Sequence, residues 1–324
     1  MKAIVQDSYG PPDVLRLKEI QPPTAGPGQV LARVRAAGLD AGVWHLMAGK
    51  PYAIRLGFGF RAPKNPVRGT EFAGQVEAVG AGVTGVRVGD EVFGVGDGAF
   101  AEYVRASADR IAPKPPSLTF EEAAAVPISA TTALQALRDK AKVQSGQRVL
   151  IIGAGGGVGT FAVQLAKSFG AEVIGVCGPD KADLVRSLGA AQVIDYTREG
   201  LGTKANPYDV IVDTAGNRPL AELRHVLAPE GTLVIVGGEG GGPLLGGVTR
   251  SLGAQLRAGF TRQKLIGLFA HANTADLNTL GDLIEAGKLR PVIDRTYPLG
   301  ETPQAIANWA RGHARGKAVI TLPS

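Results

Sequence analysis

The sequence predicts an α/β protein with two domains: a doubly wound parallel sheet, and a β-rich domain that is discontinuous along the chain. Three observations lead to this prediction. The 324 residues are enough for about two domains. Residues 1–120 hold short apolar segments separated by Gly, Pro and Asp, whereas later near-continuous apolar segments alternate with helical ones. The segments after residue 290 lie beyond this alternation, so we expect them to return to the first domain.

The first domain is predicted from its short strands. They are separated by turn residues, which is typical of a small antiparallel barrel or sandwich. The predicted strands are residues 3–5, 30–34, 74–79, 91–94 and 101–104.

The second domain is predicted from the alternation that starts near residue 120. A helix over 120–125 has Thr119 as its N-cap and Glu122 three residues later, which is the spacing of a capping box. Further helices are predicted over 131–140, 159–169, 181–188 and 218–227, and strands over 148–153, 172–177, 192–195, 209–213, 231–237 and 264–270. Apolar strands that alternate with helices form a parallel sheet covered on both faces.

The remaining segments complete the domain assignment. We predict a helix over 274–286, and a tail that includes the segment 293–297, a helix over 302–312 and a strand over 318–322. Residues 1–123 and 267–324 are then the β-rich domain, and residues 124–266 are the doubly wound domain.

Composition and charge exclude several classes of protein. Apolar residues make up 44% of the chain, but no run reaches the roughly 20 residues of a membrane helix. The start of the chain has no pattern of a secretory signal, and one cysteine, Cys177, allows neither an intrachain disulfide nor a zinc site of several cysteines. We therefore expect a cytoplasmic protein. The net charge of +6 is scattered, so an anionic small ligand accounts for it better than nucleic acid does.

The strongest motif is a glycine-rich loop at 153–159, Gly-Ala-Gly-Gly-Gly-Val-Gly, between the strand over 148–153 and the next helix. Glycines in this context let the backbone approach a pyrophosphate, and the start of a helix offers free N–H groups. We predict a dinucleotide site with contacts from Ala154, Gly155, Gly156, Gly157 and Val158.

The end of the second strand favours NADP over NAD. NAD sites place an acid there to bind the ribose 2′-hydroxyl, whereas this strand ends at Cys177 and Gly178. Lys181 follows, and Tyr196 closes the next strand, which suits a 2′-phosphate. Asp180 argues against this prediction, although it lies beyond the strand end. The alternative for Lys181 is a solvated lysine at a helix start.

Four further segments carry a family resemblance: Gly-Thr-Glu-Phe-Ala-Gly-Gln-Val-Glu-Ala-Val-Gly at 69–80, Val-Gly-Asp-Glu-Val-Phe-Gly at 88–94, Thr-Ala-Leu-Gln-Ala-Leu at 132–137, and Gly-Lys-Ala-Val-Ile at 316–320. With the loop, they make the whole chain resemble a zinc-independent medium-chain dehydrogenase/reductase of the quinone oxidoreductase group. The resemblance implies a Rossmann domain, a discontinuous GroES-like barrel domain and a homodimer joined through the apolar edge strand over 264–270. It also implies further cofactor contacts from Thr132, Ala215, Gly216, Gly237, Phe269 and Lys317.

The resemblance also bears on zinc. The positions that match the catalytic zinc ligands of related alcohol dehydrogenases hold Asp40, Thr70 and Ile128, of which only Asp40 could bind a metal. The four histidines are dispersed. We therefore expect no metal.

Asp40 lies in a segment that departs from the family pattern. Relatives usually carry Asn-Pro at 40–41 and Asp at 43, whereas this chain has Asp40, Ala41 and Val43. Asp40 is either a polar contact to the substrate or nicotinamide ribose, or a residue that caps its loop.

The resulting functional hypothesis is hydride transfer from NADPH to a quinone or an α,β-unsaturated carbonyl, without zinc. Candidate catalytic hydroxyls are those of Tyr52, Thr70 and Thr132, and Asp40 is a further candidate.

The glycine-rich stretch over 237–247 and Arg250, Arg257 and Arg262 are expected to border the cleft. One alternative is an NADPH-binding protein with little catalysis and a structural or RNA-binding role. A zinc alcohol dehydrogenase is the other.

Overall fold

The computed structural model describes residues 1–203, 205–237, 262–312 and 314–323. The chain divides into two compact units. Unit 1 comprises residues 1–131 and 271–324, and unit 2 comprises residues 132–270. The boundaries that we inferred from the sequence lie a few residues earlier, at 123/124 and 266/267. Arg250 and Arg257, which we expected near the cleft, lie outside the described residues.

The described secondary structure contains the predicted elements in the predicted order, and before residue 120 it adds two strands and two α-helices that the sequence analysis did not predict. The strands are β1 (Lys2–Gln6), β2 (Leu15–Glu19), β3 (Gln29–Leu39), β4 (Glu71–Val79), β5 (Glu91–Val95), β6 (Tyr103–Ser107), β7 (Ile111–Pro113), β8 (Arg148–Ile152), β9 (Glu172–Cys177), β10 (Gln192–Asp195), β11 (Tyr208–Asp213), β12 (Leu227–Ile235), β13 (Lys264–Gly267), β14 (Ile293–Pro298) and β15 (Lys317–Thr321). The α-helices are α1 (Ala41–Ala48), α2 (Arg55–Phe58), α3 (Phe120–Ala124), α4 (Ser129–Leu134), α5 (Gly157–Ser168), α6 (Ala182–Ser187), α7 (Leu220–Val226), α8 (Thr274–Glu285) and α9 (Thr302–Ala310). A π-helical segment, Gln135–Ala141, continues α4.

Unit 1 is built on a mixed sheet that joins strands of the C-terminal segment to strands β3–β7, while β1 and β2 form a separate two-stranded sheet. The strand order is β14-β15-β3-β4-β5-β7, and β6 also pairs with β3. Ala318 of β15 lies opposite Leu39 of β3 in antiparallel register, which confirms that the tail returns to the first domain. The sheet surrounds a core in which Phe72, Phe93 and Phe100 are fully buried.

Unit 2 is the predicted doubly wound domain. Its six strands are all parallel and have the order β10-β9-β8-β11-β12-β13. This order reverses direction between β8 and β11, which makes that point of the sheet the usual ligand position in such folds. The fold class is therefore confirmed. Strand β13 is shorter than predicted, because ladder pairing with β12 ends at Gly267.

The starting residues of helices α3 and α5 are determined by local interactions at their N-termini. Thr119 and Glu122 form the predicted capping box at the start of α3, with both reciprocal hydrogen bonds present. Helix α5 begins at Gly157, two residues before the predicted start, because Gly156 is already the extended N-cap residue. Among the described residues, no helix combines the length and apolar character that crossing a bilayer requires.

Candidate functional site

The glycine-rich loop of unit 2 connects β8 to α5 through a turn that needs glycine. Gly153 has φ +80°, a conformation that other residues rarely adopt. A Cβ on Gly159 would overlap the carbonyl oxygen of Gly153 and lie 2.7 Å from the Cα of Ala154. Glycine at these two positions therefore lets the helix start pack directly against the loop.

The start of α5 has the features of an anion site. This 12-residue helix has Gly156 as its N-cap, and Gly156 has no side chain to accept hydrogen bonds from the first turn. The backbone N–H groups of the first turn and the positive end of the helix dipole are thus available to a diphosphate. The backbone of the loop is held from the other side, since the N–H groups of Gly153 and Ala154 both donate to the carbonyl of Val176. The residues present therefore fit a dinucleotide.

The structure brings together the three residues predicted to bind the adenosine end of the cofactor, Gly178, Lys181 and Tyr196, with Asp180 beside them. The aliphatic stem of Lys181 lies against the loop, because a Cβ on Gly155 would be 2.7 Å from Lys181 Cδ. The ring of Tyr196 lies beside Gly178, with Cε1 3.7 Å from the position of a Cβ there. The carboxylate of Asp180 approaches the same position to 2.9 Å. Lys181 and Asp180 thus border one surface at the end of β9.

The turn after β11 lies at the same edge of the sheet. Thr214 donates from its backbone N (3.1 Å) and its hydroxyl (2.7 Å) to the carbonyl of Ile152, the last residue of β8. Asp213 is fully buried, and its carboxylate accepts a 2.9 Å hydrogen bond from the backbone N of Gly216. A Cβ on Gly237 would lie 2.9 Å from the carbonyl carbon of Thr214, so the chain after β12 passes close to this turn.

Sequence reasoning missed the roles of Asp213 and Thr214. An acid at the end of an apolar strand, two residues before Ala215 and three before Gly216, was the available signal. Because these two residues fix the turn, they hold Ala215 and Gly216 at the edge where the glycine-rich loop lies.

In unit 1, Asp40 and Thr70 form a hydrogen-bonded pair. Asp40 is the N-cap of α1: its Oδ1 accepts from the backbone N of Gly42 at 2.6 Å and of Val43 at 3.3 Å. Its Oδ2 accepts from the Thr70 hydroxyl at 3.2 Å. The sequence left two roles open for Asp40, a contact to the substrate or ribose and a cap of its own loop. The structure shows the hydrogen bonds of the cap.

Three positions match the catalytic zinc ligands of related alcohol dehydrogenases, and their side chains are not a set that binds zinc. Asp40 supplies a carboxylate, Thr70 a hydroxyl, and Ile128 a hydrocarbon side chain. The backbone N of Ile128 donates to Glu71 Oε2 at 3.0 Å. Throughout the described ranges no group of three His, Cys, Asp or Glu residues is placed to hold a metal. Since catalytic zinc ordinarily has three protein ligands, these residues do not fit the ion.

Next to Thr70 lies a buried ion pair that sequence reasoning did not find. Lys317 of β15, only 2% exposed, donates from its ammonium to Oε1 of the fully buried Glu71 of β4. Burial raises the pKa of Glu71, against the opposing effect of the Lys317 charge. Lys317 had been expected to contact the cofactor, but its ammonium is engaged inside unit 1.

Three other residues that the sequence suggested for the site are Tyr52, Thr132 and Phe269. Tyr52 is partly exposed and stacks under the guanidinium of Arg55, 4.7 Å from the ring centroid. Thr132 is buried at the start of unit 2, and Phe269 is 76% exposed after β13. The structure therefore places Tyr52 in a cation–π contact with Arg55.

Comparisons with known proteins cover the whole chain. Residues 26–116 match the family model of the alcohol dehydrogenase GroES-like domain, and residues 188–320 match that of a zinc-binding dehydrogenase. The chain is 33% identical to the mitochondrial NAD(P)H oxidoreductase RTN4IP1 of Mus musculus, over 99% of this chain and 89% of that protein. It is 34% identical to 2-methylene-furan-3-one reductase of Solanum lycopersicum, over 99% and 79%. The structure of a quinone oxidoreductase from Coxiella burnetii is 32% identical, with a TM-score of 0.88 and coverage of 100% and 99%.

Proposed function

This chain belongs to the medium-chain dehydrogenase/reductase family, in its quinone oxidoreductase-like group, and we propose that it is an NADPH-dependent enzyme that reduces quinones or α,β-unsaturated carbonyls without zinc. That it is an oxidoreductase using a nicotinamide cofactor follows from the family. The preference for NADPH, the class of acceptor and the independence of zinc are the proposal.

The position of Lys181 supports the choice of NADPH. Its aliphatic stem lies against Gly155 of the loop, on the side of the fold where an adenosine ribose follows the diphosphate. Gly178 leaves room beside it, and Tyr196 offers a ring and a hydroxyl. A cation there stabilises a 2′-phosphate through a charge-assisted hydrogen bond. The carboxylate of Asp180 would instead favour the ribose 2′-hydroxyl of NADH. The experiment therefore compares the affinities of the protein for NADPH and NADH.

We assign the remaining cofactor contacts to the carboxyl edge of the parallel sheet. The loop residues 154–158 bind the diphosphate, and Ala215, Gly216 and Gly237 lie along the neighbouring strand ends. Thr132 and Phe269 remain candidate contacts toward the nicotinamide. We leave Lys317 out of this set, because its ammonium is paired with Glu71.

The chemistry follows from the residues near Thr70. When bound, the reduced nicotinamide supplies a hydride. Quinones and conjugated carbonyls are electrophilic enough to accept a hydride without a Lewis acid, which fits the donor set of Asp40, Thr70 and Ile128. Because Asp40 keeps its two backbone donors, the Thr70 hydroxyl can turn from Asp40 toward an acceptor oxygen. We propose that Thr70 orients that oxygen and that Asp40 fixes Thr70. We propose Tyr52 only as a residue at the rim of the acceptor site.

Cofactor preference is tested by equilibrium binding of NADPH and NADH to the parent protein, Lys181→Ala and the control Lys140→Ala, an exposed lysine of the same unit. Loss of a charge-assisted hydrogen bond should weaken NADPH binding about 10- to 100-fold in Lys181→Ala and leave NADH within twofold. Lys140→Ala should match the parent. Equal affinity of the parent for both cofactors contradicts the proposal.

Catalysis is tested by the rate of NADPH oxidation with quinones, enones, saturated ketones and primary aldehydes, after dialysis against a chelator. We expect turnover of quinones and enones alone. A protein that binds NADPH tightly but reduces none of these acceptors would be a binding protein with a structural or RNA-binding role.

We also propose a homodimer that forms in the cytoplasm through β13. This strand is one of the two edge strands of the described sheet, and Phe269, which follows it, is exposed. Unpaired backbone groups on an apolar edge strand favour pairing with a second copy. The partners we propose are thus a second copy and a small electrophilic acceptor, with neither a membrane nor a nucleic acid.

A further inference from the structure

Unit 1 contains a cavity of about 520 Å³ that reaches Thr70. We call it the basic cavity, because the charged side chains in its wall are Lys64, Arg68, Arg105 and a single acid, Asp97. Apolar surface is contributed by Val43, Leu46 and Phe58, among others. The cavity is therefore large enough for a small organic molecule and is positive on balance.

Asp97, the acid in the wall of the cavity, only weakly neutralises the charge of Arg105. Asp97 Oδ2 lies 3.7 Å from an amino nitrogen of Arg105, and the side chains of Arg105 and Asp97 are 42% and 64% exposed. Arg68 has no carboxylate within ion-pairing distance in the described part of the chain. Its guanidinium donates to the backbone oxygen of Asn65, and its Nε has no hydrogen-bond partner there.

Arg68 is 6% exposed, which makes this uncompensated charge unusual. Burial lowers the pKa of Arg68 to about 10, so the guanidinium remains charged at neutral pH. Proteins ordinarily bury a charge only with a partner. An anion held in the cavity would supply that partner.

We propose that the basic cavity binds a carboxylate on the acceptor, so that the preferred substrates are enones or quinones that carry an anionic group. This inference rests on the proposed reduction of such acceptors, and it names the class to which they belong. Thr70 then meets the acceptor carbonyl, while Arg68 and Lys64 hold the carboxylate and the apolar wall covers the carbon chain between them.

The test uses two acceptors with the same electrophile: (E)-7-oxooct-5-enoate, whose carboxylate is separated from the enone by three methylenes, and its methyl ester. The measurement is kcat/KM for each in the parent protein, in Arg68→Met and in the control Arg87→Met, an exposed arginine outside the cavity. The parent should prefer the acid by about tenfold or more. Arg68→Met should bring this ratio close to one, and Arg87→Met should keep it.

Further arms keep the inference falsifiable if Arg68→Met does not fold. Lys64→Met changes an exposed residue, and it should lower the acid-to-ester ratio about threefold. Raising the salt concentration should lower the ratio in the parent, since it screens the attraction. A parent that reduces both acceptors equally, or a ratio that survives in Lys64→Met and at high salt, overturns the inference.

Failure of the proposed function has a different signature. If the parent reduces both the ester and simple enones, the proposed function stands, whatever the ratio of kcat/KM for the acid to that for the ester. If it reduces neither acceptor, calorimetric titration with the unreactive 7-oxooctanoate still decides the site. Binding that weakens about tenfold in Arg68→Met, or about threefold in Lys64→Met, supports binding of the carboxylate in the basic cavity, and no binding by the parent refutes it.

Discussion

Replacing Glu71 by glutamine should destabilise unit 1 strongly, because it removes the anion that neutralises Lys317. Both side chains are buried, and the Lys317 ammonium has Glu71 as its ion-pair partner. Glu71 also accepts from the backbone N of Ile128 at 3.0 Å, and the single oxygen of a glutamine amide cannot replace both carboxylate oxygens. Removing one partner of a buried ion pair costs about 3–5 kcal/mol.

The assay is thermal and urea unfolding of the parent, Glu71→Gln, Lys317→Met and the double variant. At roughly 2–4 °C per kcal/mol for a unit of this size, Glu71→Gln should lower the Tm by about 6–20 °C. The double variant Glu71→Gln/Lys317→Met should recover most of the loss, because no charge is then left unpaired. A loss below about 1 kcal/mol in Glu71→Gln, or a double variant as unstable as the sum of the singles, would refute this reasoning.

Lys317→Met adds a pH test whose sign follows from Glu71. Burial raises the pKa of Glu71 above its ordinary value of 4.5, and removing the Lys317 charge removes the effect that opposes this rise. The folded state then binds a proton more tightly than the unfolded state does. The free energy of unfolding should therefore be greatest at low pH and fall as the pH rises above 4.5 through the folded pKa. Stability of Lys317→Met that increases between pH 5 and 8 would contradict this assignment.

Three further changes test other parts of the account. Gly159→Ala should abolish NADPH binding, measured by fluorescence, since its Cβ would overlap the loop at Gly153; binding within twofold of the parent would contradict this. Asp40→Ala should cost about 1 kcal/mol in urea unfolding, whereas Asp40→Asn, which still caps α1, should cost less than half as much; equal losses would refute the capping role. Phe269→Asp should shift the protein from dimer to monomer in light scattering; Leu268 is unsuitable, because it is 8% exposed and a charge there would disturb the fold.

The second domain could be predicted from sequence because its signals are local. Each parallel strand is a short apolar run, and the strand, glycine loop and helix at 148–168 are contiguous. The errors lie at the ends of elements. The start of α5 depended on whether Gly156 was extended or helical, and the end of β13 depended on pairing with β12, which no local pattern reports.

The site in unit 1 was less accessible to sequence reasoning. Lys317 and Glu71 are 246 residues apart, so their pairing depends on the return of β15 to the first sheet. Lys317 was consequently taken for a cofactor contact. Asp40 was a different case: the sequence left two roles open, and the distances to Gly42 and Val43 establish the contacts of the capping role. The basic cavity draws its charged residues from segments at 64–68 and 97–105, which have no common motif.

The most direct test of the account is isotope transfer from NADPH deuterated at C4 of the nicotinamide, on each face in turn, to (E)-pent-3-en-2-one in the presence of a chelator. Mass spectrometry and NMR of the product locate the label. We predict that one face transfers deuterium to the β-carbon and that pentan-2-one forms at the same rate with and without chelator. Deuterium at the carbonyl carbon, or a reaction that stops on chelation and resumes with zinc, would contradict it.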